Sequence, residues 1–329
     1  MQQRQLGPFT VSAIGLGCMN LSHAYGTPPD PDTAAKLLLR ALELGYTHFD
    51  TAALYGFGAN ETLVGNVLKE HRGEFILASK CGAFRDAQGK RELNGHPDVL
   101  KKTCEDSLQR LQTDVIDLYY LHRWDKRVPI EDSVGALAEL VQAGKIRCIG
   151  LSEVSADTLR RAHHVHPITA VQSEYSLWTR NAEIKTLDVC RELGISFVAF
   201  SPLGRGFLTG TVRDPEILVP RDLRRQMPRF QGENFAANLG LLEAYINIAR
   251  ENHCTPAQLA LAWLLNRRDD ILLIPGTTRI AHLEENLGAL DVKLSPDTMQ
   301  RLDLLINDRT IRGARYNEAT QAEIDTEVA

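Results

Sequence analysis

Eight short runs rich in Val, Ile, Leu and Phe recur along the chain, at residues 13–16, 47–50, 75–79, 115–122, 146–152, 168–172, 195–201 and 271–275, with helical patterns between consecutive runs. They lack strict apolar and polar alternation, so each is expected to be buried on both faces, as in a parallel sheet covered by its own crossover helices. A helical stretch at 33–44 stops at Gly45, and the same order of strand, helix and glycine returns at 137–143 with Gly144 and at 184–193 with Gly194. A glycine just past a helix marks its end because it accepts a left-handed backbone. Eight such units close into a barrel more economically than into an open sheet. The expected fold is α/β: a single (β/α)8 TIM barrel domain over residues 1–329, with an N-terminal β-hairpin around Leu6-Gly7-Pro8-Phe9-Thr10-Val11 plugging its bottom and additional C-terminal helices. A length of 329 residues does not force two domains, since such barrels commonly run past about 250 residues undivided.

Hydrophobic content of 43% and charged content of 24% are those of an ordinary globular protein, and a net charge of −5 gives no general attraction to nucleic acid or acidic membranes. No stretch approaches the ~18 apolar residues of a membrane span, and Met1-Gln2-Gln3-Arg4-Gln5 leads into no apolar region, so a cytoplasmic protein is expected. The six cysteines are scattered without metal spacing and read as small buried hydrophobes in a reducing compartment. Cys81 beside Lys80 has a second reading as an activated thiolate. His163, His164 and His166 read as a solvated helix end and not a metal site.

Chemistry concentrates where strands end. Asp50, Tyr55, Lys80 and His122 lie at or just past the ends of three successive runs, and in a barrel the loops at the carboxyl ends of strands build the site. A carboxylate, phenol, ammonium and imidazole make a proton-transfer set. A charged lysine near a phenol favours its ionised form, Asp50 supplies the lysine's countercharge, and an imidazole donor polarises a carbonyl without a metal. The set suits reduction of an aldehyde or ketone, with Tyr55 giving the proton. No side chain donates hydride, so a cofactor is implied.

The dinucleotide fingerprint of an open sheet is absent, because Gly56-Phe57-Gly58 runs into Ala59-Asn60-Glu61 without a third glycine. The eighth unit offers another anion site: Gly276, Thr277, Thr278 and Arg279 turn into a helix amino terminus. The long connection between Ser201 and Ile271 carries four arginines at 221–229 and reads as a lid over the barrel mouth, with a nucleic-acid patch as the weaker alternative. Its second helix opens with Thr255-Pro256-Ala257-Gln258, a capping box.

At these residues the chain resembles the aldo-keto reductase superfamily over nearly its whole length. The likeness is carried by Phe49-Asp50-Thr51-Ala52-Ala53-Leu54-Tyr55-Gly56, Ala78-Ser79-Lys80, Asp117-Leu118-Tyr119-Tyr120-Leu121-His122, Ile149-Gly150-Leu151-Ser152, Val171-Gln172-Ser173-Glu174-Tyr175, Ala199-Phe200-Ser201-Pro202-Leu203-Gly204-Arg205-Gly206 and the segment from Ile274 to Arg279. It implies catalysis by Asp50, Tyr55, Lys80 and His122, and NADPH lying extended across the barrel mouth. Tyr175 would stack on the nicotinamide, Ser152 and Gln172 would hold its carboxamide, and Ser201, Pro202, Leu203, Gly204 and Gly206 would run along the pyrophosphate. Gly276, Thr277, Thr278, Arg279, Glu285 and Asn286 would enclose the adenosine phosphate end.

Two positions depart from the family's pattern. Glu153 stands where many members have Asn, which resembles a bacterial and plant branch, and His282 stands where many have an Arg, so that Arg279 would supply the cation. Tyr25, Phe57, Phe84, Trp124 and Trp178 are candidate walls for a small-molecule carbonyl substrate with a bulky or aromatic body, with core packing or lid stacking as the other reading. Two alternatives to a reductase stand beside it: a cofactor-loaded regulatory or scaffolding subunit of the same fold with little turnover, and a Schiff-base aldolase acting through Lys80.

Overall fold

In the computed structural model, which describes residues 1–22, 24–85 and 91–328, the strands come in the order the sequence implies. A hairpin of β1 (Gln3–Leu6) and β2 (Phe9–Ser12) precedes the barrel strands β3 (Leu16–Gly17), β4 (His48–Asp50) and β5 (Ile76–Cys81). A second hairpin, β6 (Ala83–Arg85) and β7 (Arg91–Leu93), is inserted before β8 (Ile116–Leu121), β9 (Ile146–Ser152), β10 (Ile168–Glu174), β11 (Ser196–Phe200) and β12 (Ile271–Leu273). The eight barrel strands form one parallel sheet in the order β12-β11-β10-β9-β8-β5-β4-β3. Its ends meet: parallel bridges join Ile14 to Leu273 and Gly17 to Gly276, and Gly15 N–H donates to the Leu273 carbonyl at 2.7 Å. The (β/α)8 barrel therefore closes on itself, which leaves no open sheet edge.

Local chemistry explains the crossovers. The helix Pro31–Glu43 starts at Asp30, whose side chain accepts from Thr33 N–H, and buries Leu37, Leu38 and Ala41. Gly45 takes φ +86° just beyond it. The Thr255/Gln258 capping box is formed at the start of the helix Pro256–Leu265. The hairpin caps the barrel from below, where Leu6 and Val11 join a buried cluster with Ala78, Leu118, Tyr120, Cys148, Ala170, Val198, Leu272 and Ile274. Gly150 is forced by this interior: a Cβ there would stand 2.3 Å from the Tyr120 ring. Among the described residues no helix is long and apolar enough to cross a membrane. The hairpin β6/β7 was not foreseen, and it carries Arg91 to the barrel mouth. The cysteine with two readings is settled by burial: Cys81 is enclosed, its thiol is pushed well up, and its Sγ points at the Tyr120 carbonyl. It has no thiolate character.

Candidate active site

β4, β5 and β8 end side by side, in register His48 to Ile76 and Ala78 to Leu118, and this brings Asp50, Lys80 and His122 to one end of the barrel. Tyr55 returns to them through a turn pinned at several points. Thr51 N–H donates to the Ala78 carbonyl at 2.9 Å, Ala53 N–H to the Lys80 carbonyl at 3.2 Å and Tyr55 N–H to the Ala52 carbonyl at 3.0 Å. Buried Asn60 braces the turn from behind, accepting from Thr51 Oγ1 and donating to the Cys18 carbonyl.

Lys80 is enclosed, and its Nζ donates to a carboxylate oxygen of Asp50, to the Thr51 carbonyl at 2.8 Å and to Tyr55 Oη at 3.1 Å. Burial alone would lower its pKa, but the Asp50 carboxylate and the Tyr55 oxygen outweigh that and hold it above its ordinary value, so the amine stays charged. An ammonium held by three oxygens is not a free nucleophile, which argues against the Schiff-base alternative. Burial pushes the Tyr55 phenol up, and Lys80 pulls it back only in part. The sequence reading gave the cation the upper hand. Desolvation has it instead, so Tyr55 keeps its proton near neutrality. The His122 ring meets Tyr55 edge-on, with centroids 5.7 Å apart.

A cavity of about 680 Å³ opens above these groups, with Asp50, Tyr55 and His122 at one end. It continues past Ser152, Gln172 and Phe200, along Ser201, Pro202, Leu203 and Gly206, to Gly276, Thr277, Thr278, Glu285 and Asn286. Gly276, Thr277 and Thr278 lead into the helix Ile280–Leu287, and Glu285 and Asn286 lie in its last turn, so hydroxyls, a carboxylate and an amide face the far end. An elongated cleft with polar groups at both ends and Phe200 between them fits an extended dinucleotide.

The long connection after β11 does cross the mouth: Leu223 N–H donates to the Ala24 carbonyl, and Arg224 lies over the Tyr25 ring at 5.1 Å. Arg205 ties the same region together through Glu174, Tyr25 and Tyr316. Three of the four arginines in the 221–229 stretch are engaged, with Arg224 paired to Asp222, Arg225 reaching the Leu218 carbonyl and Arg229 the Trp178 carbonyl, while Arg221 is exposed. Such engaged side chains do not form a nucleic-acid patch.

Several expected site residues lie elsewhere. Tyr175 is buried against Phe197 and Trp263 on the helix side of the barrel, with its hydroxyl on Glu183 at 2.7 Å, so it does not face the cavity. Phe200, at the end of β11, lines the cavity beside Ser201. Gly204 is buried beneath the run it belongs to, and its Cβ would press on Trp178 and Leu208. Arg279 is exposed and caps the helix, whereas His282 lines the cavity. Of the substrate walls Tyr25 lines the cavity. Trp178 is wedged between Phe207 and Phe230, Trp124 donates to the Val128 carbonyl under Arg161, and Phe84 is paired across its hairpin with Glu92. Gln172 lines the cavity but gives its nitrogen to Asp50 at 2.7 Å.

Glu153 has a structural task. Buried at φ +58°, it accepts from Glu174 N–H and pairs with Arg315, and its carbonyl accepts from Asp325 N–H. This anchors the C-terminal segment, which brings Tyr316, Asn317 and Thr320 to the cavity. No periodic pattern in the sequence marked those three.

A parallel barrel whose strand ends gather a charged lysine, a protonated phenol and an imidazole beside a dinucleotide-shaped cleft defines a barrel oxidoreductase. The family model described as "Aldo/keto reductase family" matches residues 13–307, and the chain belongs to that family. It is 46% identical over 327 residues to aldo-keto reductase yakc of Schizosaccharomyces pombe, whose name carries NADP(+), covering 98% of this chain and 96% of that one. It is 44% identical over 324 residues to probable aldo-keto reductase 1 of Glycine max, covering 96% and 93%. Among solved structures, a glycerol dehydrogenase of Gluconobacter oxydans superposes with a TM-score of 0.84 at 27% identity, covering 92% and 94%. The holo form of an aldo-keto reductase of Bacillus halodurans gives 0.77 at 30% identity, covering 97% and 99%.

Proposed function

We propose that this chain is an NADPH-dependent reductase of aldehydes or ketones, working reversibly from one barrel domain, with Tyr55 as the general acid. The observation that carries the proposal is Lys80 Nζ held 3.1 Å from Tyr55 Oη while bonded to Asp50. Ser152, Gln172, Phe200, Ser201, Pro202, Leu203, Gly206, Gly276 to Thr278, Glu285 and Asn286 would hold NADPH, and the NADP(+) in the yeast relative's name supports that choice. When bound, NADPH supplies hydride to the carbonyl carbon. His122 donates to the carbonyl oxygen and polarises it. Tyr55, protonated because burial outweighs Lys80, passes its proton to the forming alkoxide. The charged Lys80 then stabilises the phenolate left behind, and Asp50 keeps Lys80 charged and in place.

Tyr55→Phe tests this reading. Turnover of a reactive aldehyde, followed by NADPH absorbance, should fall by on the order of 10² to 10⁴-fold, while NADPH affinity is retained. Reduction at the parent rate would remove Tyr55 from the acid role.

A further inference from the structure

The mouth of the cavity carries a cation that the tetrad chemistry does not use. Arg123 follows His122 directly off β8, and its Nη1 donates to the His122 carbonyl at 2.6 Å and to Ser152 Oγ at 3.0 Å. Both acceptors are neutral. The other cavity guanidinium groups are each matched by a carboxylate: Arg91 by Glu323 at 2.7 Å, Arg205 by Glu174 at 2.5 Å and Arg224 by Asp222 at 2.6 Å. Among the described residues Arg123 has no carboxylate within ion-pair distance.

Its position is as informative as the absence of a carboxylate partner among the described residues. Arg123 and Arg91 line the same end of the cavity as Tyr55 and His122, away from the run from Gly276 to Asn286. Both guanidinium groups line the cavity that Tyr55 and His122 open into, and the charge of each is felt at the Tyr55 phenol. A half-buried guanidinium facing neutral oxygens gains most from a ligand that brings negative charge, and its planar fork matches a carboxylate or phosphate.

We propose that Arg123, supported by Arg91, binds an anionic group of the substrate, so that this enzyme acts on aldehydes or ketones bearing a carboxylate or a phosphate. The proposal rests on the reductase reading above, and it makes Arg123 a residue that sets specificity.

Three aldehydes of similar shape separate the cases: 4-carboxybenzaldehyde, 4-formylphenyl phosphate and the neutral methyl 4-formylbenzoate. The parent enzyme should favour at least one anionic aldehyde over the ester by more than about tenfold in kcat/KM, and which one identifies the anion. Arg123→Gln should remove that preference, mainly through KM, by about tenfold to a hundredfold. Added salt should shrink it in the parent. Equal treatment of all three aldehydes by the parent overturns the proposal. So does an equal loss on all three in the variant together with weaker NADPH binding, which would assign Arg123 to the cofactor through Ser152. If the parent reduces none of them, the reductase reading fails separately. The anion site then stands or falls on whether 4-carboxybenzyl alcohol binds to the parent more tightly than to Arg123→Gln in calorimetry.

Discussion

Lys80→Met takes a fully enclosed ammonium out of the barrel and leaves its oxygen partners behind. The lysine side chain is 0% exposed and that of Asp50 is 2% exposed, so solvent cannot replace the lost charge. Methionine refills most of the volume of the lysine stem, and the cost is therefore electrostatic. Removing one partner of a buried pair typically costs about 3–5 kcal/mol. Asp50 keeps its bond from Gln172, which places the expected loss toward the lower half of that range. For a chain of this size the melting temperature should drop by on the order of 10 °C. Urea and thermal unfolding followed by tryptophan fluorescence read the loss, and the double variant Lys80→Met/Asp50→Asn, which has no orphaned charge, should recover more than half of it. The pH dependence has a definite sign. Lys80 is held above its ordinary 10.5 in the folded state, so its contribution is fully present below that value and is lost as pH rises through the folded pKa. The gap between parent and Lys80→Met should thus be flat through neutral pH and close only in strong alkali. A single variant that loses less than about 1 kcal/mol, or a double variant no more stable than the single, would refute a buried, charged Lys80.

Gly150→Ala should destabilise the barrel by about 1–3 kcal/mol or more, because the new methyl would sit 2.3 Å from the Tyr120 ring, and Tyr120→Leu should relieve part of that loss in the double variant. Unchanged unfolding of Gly150→Ala would mean that the ring has room to move. Phe200→Ala should weaken NADPH binding by roughly tenfold in a fluorescence titration, whereas Tyr175→Phe should leave it within about twofold and lower stability by about 1 kcal/mol through the lost Glu183 bond. Equal effects on the cofactor would contradict the placement of the two rings.

Much of the fold was legible because strand, helix and glycine repeat with so little variation. The eight expected runs became β3, β4, β5 and β8 to β12, with the first shifted toward its end, at Leu16–Gly17. Asp50, Lys80 and His122 were legible for the same reason, since a residue at a strand end needs only the strand to be placed. The hairpin β6/β7 and the approach of Tyr316 and Asn317 were not legible. The approach of Tyr316 and Asn317 depends on contacts distant in sequence, the C-terminal segment being held by Arg315 on Glu153 and by Asp325 on Ser155 and Thr158. Read alone, Glu153 is a departure at a cofactor position. The pair with Arg315 gives it a reason in packing.

The exchange of Tyr175 for Phe200 has a simpler cause, and the sequence did contain the signal. Successive side chains on a strand point to opposite faces, so in a barrel one parity faces the interior and the other faces the helices. The interior cluster holds Ala78, Leu118, Tyr120, Cys148, Ala170, Val198 and Leu272, all at even positions, while Leu77, Tyr119, Leu121, Ile149, Leu151, Val171 and Phe197 pack outward. Asp50, Lys80, His122, Ser152 and Gln172 continue the even series to the mouth. Counting in twos from Gln172 passes Glu174 and misses Tyr175, and counting from Val198 reaches Phe200. An aromatic residue near a strand end is thus insufficient evidence for a stacking role; its parity with the known interior residues decides which way the ring faces.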